Sequence, residues 1–224
     1  MRPDAESWQP PKAVIFDLDH TLIDSRKAWQ YALEESIAAT CGRRVDVRPL
    51  IEEYHRRPWV QALAVLLPEA QERSRCEQVC VEISQRSGLK KLLVHEGIGM
   101  ALDAVRGGWI EIGAISRQPH SLALKQTQST GLDRFLAVLA ATPLGEAYDP
   151  AARLAQCAAF LERSPLDCAI VSSEPEDRRA ADAAGFRLLF PAWVAEPPTA
   201  AATIPGPADI LAALLSCGGQ PNSR

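Results

Sequence analysis

Val14-Ile15-Phe16-Asp17-Leu18-Asp19-His20-Thr21 concentrates the residue types able to do chemistry: an aspartate pair spaced by a single residue, then a threonine, directly after an apolar run. Val14–Phe16 predicts a buried strand, being too short for a helix and rich in β-branched and aromatic side chains. Asp17 then falls at the carboxyl end of that strand, where ligands bind in open α/β sheets. An ionised carboxylate beside an apolar strand is costly unless something pairs with it, and a metal ion is a partner that would. Asp17 and Asp19 also read as plain turn residues closing a strand, so the weight of the motif depends on what the rest of the chain brings to it.

The elements that must position these aspartates follow from the hydrophobic pattern. Residues 1–11 read as a disordered lead-in, and 12–25 hold the first strand and its loop. From 26 to 92 the pattern is helical throughout: Trp29, Leu33 and Ile37 recur every fourth residue, and Gly42 ends that helix. Pro49–Tyr54, Trp59–Leu67 and Glu69–Arg86 continue as helices, punctuated by Pro58 and Pro68. From 93 to 215 helices and strands alternate. Strands are expected at Ile110–Ser116, Ala137–Ala140, Cys168–Val171 and Arg187–Phe190. Helices are expected at Gly97–Arg106, Leu122–Thr130, Ala151–Glu162, Asp177–Ala184 and Pro207–Leu215. Ala195–Pro207 reads as a Pro/Ala-rich loop and residues 216–224 as a flexible tail. Such alternation implies a Rossmann-like parallel sheet covered by helices on both faces, with an inserted all-helical segment.

Composition narrows the partners. The 224 residues carry a net charge of −4, with 47% apolar and 23% charged side chains. Nothing there calls for nucleic acid or an anionic membrane surface as a partner. No apolar run approaches the roughly 20 residues of a membrane-spanning helix, and the polar, proline-containing start has no signal-peptide core, so the expected location is cytoplasmic. Six cysteines occur, none as C-x-x-C. Cys76 and Cys80 share a helix face without further ligands nearby, and the set reads as buried side chains in a reducing compartment.

The segment from Val14 to Asp24 resembles the first motif of the haloacid-dehalogenase-like hydrolase superfamily, and the order of elements is similar to that of its phosphoglycolate-phosphatase-like members with a helical cap at 26–92. The resemblance implies a Mg²⁺-dependent phosphatase of a small phosphorylated metabolite. In it Asp17 is the nucleophile that forms an aspartyl-phosphate, Asp19 the general acid and then base, and Thr21 a support for the loop. Asp19 also argues against carbon–halogen cleavage, since dehalogenases lack the second aspartate. Ser116, ending Ile112-Gly113-Ala114-Ile115, matches the second motif and would bind a phosphate oxygen; alone, it reads more readily as a helix cap.

Two motifs depart from the superfamily pattern. Where its third motif has a lysine, Gly145-Glu146-Ala147-Tyr148-Asp149-Pro150 has Ala147, and no lysine follows Lys125. Arg117 and Lys125 are the candidates to replace that cation as substrate-binding groups. The fourth motif, Gly-Asp-x-x-x-Asp, becomes Ser172-Ser173-Glu174-Pro175-Glu176-Asp177: Ser173 replaces the first aspartate, Asp177 matches the second, and Glu174 stands close enough in sequence to serve. The implied metal ligands are Asp17, Asp19, Glu174 and Asp177. Losing a lysine and an aspartate from one site leaves a second reading open, a fold retained for binding or regulation without turnover. In the cap, Arg56 and Arg57 are candidates for an anionic substrate group or for an ordinary solvated turn. His20, inside the catalytic loop, is a candidate contact to the leaving group, and His20, His95 and His120 show no metal-ligand spacing.

Overall fold

The protein is described by a computed structural model covering residues 9–52, 59–199 and 201–216, with side chains described outside 52–62. The expected cap arginines Arg56 and Arg57 lie outside the described residues, as do most of the expected lead-in and tail. The chain divides into two compact units, one of residues 1–23 and 94–224 and one of residues 24–93.

The first unit is built on a six-stranded sheet. Strands β1 (Ala13–Asp17), β4 (Glu111–Pro119), β5 (Val138–Thr142), β6 (Cys168–Val171), β7 (Arg187–Pro191) and β8 (Thr203–Ile204) lie in the order β5-β4-β1-β6-β7-β8, and every pairing is parallel. Every residue of β1 is buried, as a strand covered on both faces requires. The strand order reverses at β1. The chain builds outward through β4 and β5, then crosses to β6 on β1's other side, and in such sheets the crevice at that reversal is where ligands sit. Register puts Asp17 opposite Ile115, so Ser116 lies one step beyond it on β4, and Phe16 pairs with Val171 at the end of β6.

Helices α5 (Ile98–Gly107), α6 (His120–Thr130), α7 (Pro150–Phe160), α8 (Pro175–Ala184) and α9 (Ile210–Ser216) complete this unit. Sequence punctuation sets their ends. The Asp149 side chain accepts from the Ala152 amide at 3.1 Å and Pro150 opens α7. Gly131 and Gly185 close α6 and α8 in the left-handed conformation. A core of Ile15, Ile115, Leu154, Leu161, Ile170 and Phe186 joins α7 and α8 to the sheet. At Gly113 an added Cβ would fall 2.6 Å from Cys157 Sγ, so α7 packs this close to β4 only over a glycine.

The second unit holds α1 (Arg26–Cys41), α2 (Arg48–Glu52), α3 (Trp59–Leu66) and α4 (Ala70–Gln85), helical as the pattern predicts. Leu33, Ile37, Val47, Leu63, Leu67, Cys76 and Cys80 form its core. Burial pushes the Cys80 thiol up to about 11, the behaviour of an inert packed side chain. All five described cysteines are free. Short strands β2 (Ile23–Asp24) and β3 (Leu93–Val94) make a separate two-stranded sheet.

Three local readings are corrected. Strand β4 does not stop at Ser116 but runs to Pro119 through an irregularity between those residues. The Pro- and Ala-rich stretch after Ala195, expected as a loop, contains β8. The last helix begins as a 3₁₀ turn at Pro207–Asp209 before α9. Among the described residues no helix is long and apolar enough to cross a membrane.

Candidate active site

The site begins where β1 stops. The Leu18 amide donates to the Ile115 carbonyl at 2.9 Å, extending the β1–β4 ladder one step past Asp17. The chain then folds back on itself: the His20 amide donates to the Ile23 carbonyl, and His20 adopts φ 72°, a left-handed conformation uncommon for a side chain of this size. Two outside residues pin this turn. His95 Nε2 donates to the His20 carbonyl at 2.7 Å, and the Trp193 indole N–H donates to the Thr21 carbonyl at 3.1 Å. The His20 and Thr21 carbonyls are thus both held, and the Thr21 hydroxyl donates to Asp17 Oδ2 at 3.4 Å.

Asp17 is fully buried, and its Oδ1 has no hydrogen-bond partner. Burial raises its pKa well above the ordinary carboxylate range, and Asp177, Asp19 and Glu174 raise it further by repulsion, while Arg117 opposes them. Asp19 is half-buried. The Ser116 hydroxyl donates to its Oδ2 at 2.8 Å and the Arg117 amide donates to the same oxygen at 3.2 Å. Burial raises the Asp19 pKa, and these two bonds work against the rise. The Ser116 hydroxyl also accepts from the Gln118 amide, and the Ser116 carbonyl accepts from the Thr142 hydroxyl, so the β4 terminus is fixed from both sides.

Arg117 sits in the β4 irregularity, a device that re-aims side chains at strand ends. Its guanidinium pairs with Glu174 at 3.0 Å and with Glu176, and lies 4.7 Å from the centroid of the Tyr148 ring. Burial alone would lower its pKa, but Glu174, Asp177, Glu176 and Asp17 together raise it. Lys125 is exposed on α6 and is absent from the charges acting on Asp17. Ala147, at the position of the superfamily's lysine, is itself exposed.

Asp177, buried in the first turn of α8, accepts from the Tyr148 hydroxyl at 2.6 Å on Oδ1 and from the Ser172 hydroxyl at 2.9 Å on Oδ2. Burial raises its pKa against those two bonds. The Ser172 hydroxyl also accepts from the Glu174 amide. Asp17, Asp19, Thr21, Ser116, Arg117, Glu174 and Asp177 are therefore brought together, from β1, β4 and the β6–α8 turn. Lys125 is not. Tyr148, Ser172, Glu176, His95 and Trp193 join the site without having stood out in the sequence. Tyr148 carries a signal in its place beside Ala147 in the third-motif stretch, and Ser172 and Glu176 in theirs within the fourth-motif stretch.

The donor set suits a hard divalent cation in kind: oxygen ligands, several mutually repelling carboxylates, and one buried oxygen, Asp17 Oδ1, left without a partner. Asp17 and Asp177 are the residues that would hold such an ion. Their arrangement is not yet a closed ligand shell. Among the described residues no three Asp, Glu, His or Cys side chains converge on one point, and Asp177 gives both oxygens to hydroxyl donors.

A parallel sheet with this strand order, an aspartate pair at the end of a strand inside it and a helical unit inserted after that strand are similar to those of haloacid-dehalogenase-like proteins. No family model matches the chain. Phosphoglycolate phosphatase from Xylella fastidiosa (strain 9a5c) is 28% identical to it over 193 residues, covering 82% of this chain and 81% of that protein. Among solved structures, a HAD-superfamily hydrolase of subfamily IA, variant 1, from Geobacter sulfurreducens superposes with a TM-score of 0.77 at 20% identity, covering 92% of this chain and 97% of that one. Protein Tyrosine Kinase A of Mycobacterium tuberculosis superposes at 0.76 with 19% identity, over 92% of this chain and 99% of its own. Such identities speak for the fold alone, and a fold hosts more than one activity.

Proposed function

We propose that this chain is a Mg²⁺-dependent phosphatase that hydrolyses a small phosphorylated metabolite through an aspartyl-phosphate on Asp17. The observation that carries the reading is the pairing of an unpartnered, buried Asp17 Oδ1 with an Asp19 held by Ser116 and the Arg117 amide. The phosphatase relative supports the same class.

In this mechanism a carboxylate oxygen of Asp17 attacks phosphorus. The new O–P bond forms as the ester P–O bond breaks, and Asp19, protonated, gives its proton to the departing alkoxide. Asp19 then takes a proton from water, which attacks the acyl phosphate and releases inorganic phosphate. The raised pKa of Asp19 suits the donor stage. Ser116 and Arg117 bind phosphate oxygens, Arg117 supplying the charge that Ala147 cannot. Bound Mg²⁺ would neutralise the carboxylates and the phosphate, which keeps Asp17 ionised for attack. The position of the helical unit between the first and second motifs supports a cap role and a small substrate. The free cysteines fit a cytoplasmic, reducing setting.

The engagement of Asp177 by Tyr148 and Ser172, with Ala147 in the lysine position, favours the second reading, a binding protein without turnover. Hydrolysis of an aryl phosphate and a panel of phosphorylated metabolites, 2-phosphoglycolate among them, separates the two. Mg²⁺-dependent turnover lost in Asp17→Asn establishes the phosphatase; a folded chain inert across the panel favours the binding role.

A further inference from the structure

We propose that Tyr148 is a latch on Asp177: its hydroxyl occupies Oδ1 of the one fourth-motif carboxylate that survives, and a divalent cation must displace it to bind. The inference rests on the phosphatase reading only in taking Asp177 as a metal ligand. It adds that this chain controls access to that ligand with a residue of its own.

The geometry is specific. The Tyr148 hydroxyl reaches Asp177 Oδ1 at 2.6 Å, and the second oxygen is held by Ser172 at 2.9 Å. Each Asp177 oxygen thus carries a hydroxyl donor, and the Tyr148 proton on Oδ1 repels a cation approaching that oxygen. Tyr148 is in turn held. The Arg117 guanidinium lies over its ring, and Glu174 and Glu176 grip that guanidinium. The same arginine therefore supplies positive charge to the carboxylate cluster and props the latch shut. Asp17 keeps one oxygen without a hydrogen-bond partner, while both oxygens of Asp177 are engaged. Turning Tyr148 away frees Asp177 Oδ1, on a carboxylate close enough to Asp17 to raise its pKa by repulsion. The ring is half-buried, and the latch is the residue directly after Ala147.

Mn²⁺ binding to the full-length chain, followed by electron paramagnetic resonance, tests this without reference to turnover. Replacing a charge-assisted hydrogen bond with nothing that competes, as in Tyr148→Phe, is expected to tighten Mn²⁺ binding about tenfold or more. Equal or weaker affinity in a folded Tyr148→Phe chain overturns the proposal, as does absence of binding in both chains. A second measurement uses the wild-type chain. Its three tyrosines give three ring ¹³C resonances, assigned with Tyr31→Phe and Tyr54→Phe. Saturating Mg²⁺ should shift the Tyr148 resonance as its hydroxyl loses the carboxylate; an unmoved Tyr148 resonance while metal binds overturns the latch even if Tyr148→Phe does not fold. Failure of the phosphatase reading appears separately, as no hydrolysis in a chain whose metal response is as described.

Discussion

The Ser116 hydroxyl donates to Asp19 Oδ2 at 2.8 Å across 97 residues of sequence. The bond stabilises the ionised form of Asp19 and so holds its pKa down against burial. Ser116→Ala removes it, and the Asp19 pKa rises. As general acid, Asp19 then stays protonated to higher pH, and the basic limb of the kcat/KM profile moves upward. Loss of a phosphate donor lowers kcat/KM at the same time, by roughly 10²-fold or more. A pH–rate profile of Ser116→Ala checks both, and a basic limb that moves downward contradicts the assignment.

Asp17 binds its proton more tightly in the folded chain than in the unfolded one, chiefly through burial and then through its acidic neighbours. Ionising it therefore costs the folded state. That cost is absent below the ordinary carboxylate value of about 4 and grows as pH rises through it toward the raised folded value. Asp17→Asn carries no such cost. In metal-free buffer the variant should melt above the wild type at pH 7 and lose that advantage as the pH falls toward about 4, with about 2–4 °C for each kcal/mol in a chain of this size. Thermal melts across pH read this directly, and an advantage that grows on acidification contradicts it.

Arg117 pairs with Glu174 and Glu176 while about a third of its side chain remains exposed. Solvent screening makes such pairs weaker than fully buried ones. Arg117→Ala leaves two glutamates facing Asp17 and Asp177 without their cation, and urea unfolding should show a loss of roughly 1–3 kcal/mol. Arg117→Lys keeps the charge but not the forked geometry or the stacking on Tyr148, and should recover only part of the stability and little of the turnover. Full recovery of both by lysine would show that the fork is immaterial.

Gly113 tests the packing that sets the site on the sheet. An added Cβ lies 2.6 Å from Cys157 Sγ and 3.1 Å from Leu161 Cδ1. Gly113→Ala should cost roughly 1–3 kcal/mol through overpacking. Adding Cys157→Ala opens the space and should return part of the loss, visible as non-additivity in a double-mutant cycle. Additive losses would place the strain elsewhere.

The strands and the helical insert were legible because each writes its burial into the sequence: β1 is apolar throughout, and α1 repeats Trp29, Leu33 and Ile37 on one face before Gly42. Asp17, Asp19 and Ser116 were legible because strand ends are marked by the polar residue that follows an apolar run. Arg117 stood out as a charge beside Ser116, but the irregularity that aims it did not, since Arg117-Gln118-Pro119 carries no turn signature and is ordered by pairing with β5. The role of Tyr148 is not legible in the third-motif stretch, because a hydrogen bond to a residue 29 positions away leaves no local pattern. Strand β8 has two residues at a sheet edge, held by backbone bonds, and composition does not report those.

The central claim, that Asp17 is a nucleophile, is tested most directly by trapping its acyl phosphate. The Mg²⁺-loaded chain is mixed with a turned-over phosphate ester and quenched in acid. Borohydride then reduces any aspartyl-phosphate, and the Asp17 peptide is read by mass spectrometry. The account predicts reduction at Asp17 that depends on substrate and is absent from Asp17→Asn. Steady hydrolysis with Asp17 unmodified under every quench time would contradict it and assign the attack on phosphorus to another group.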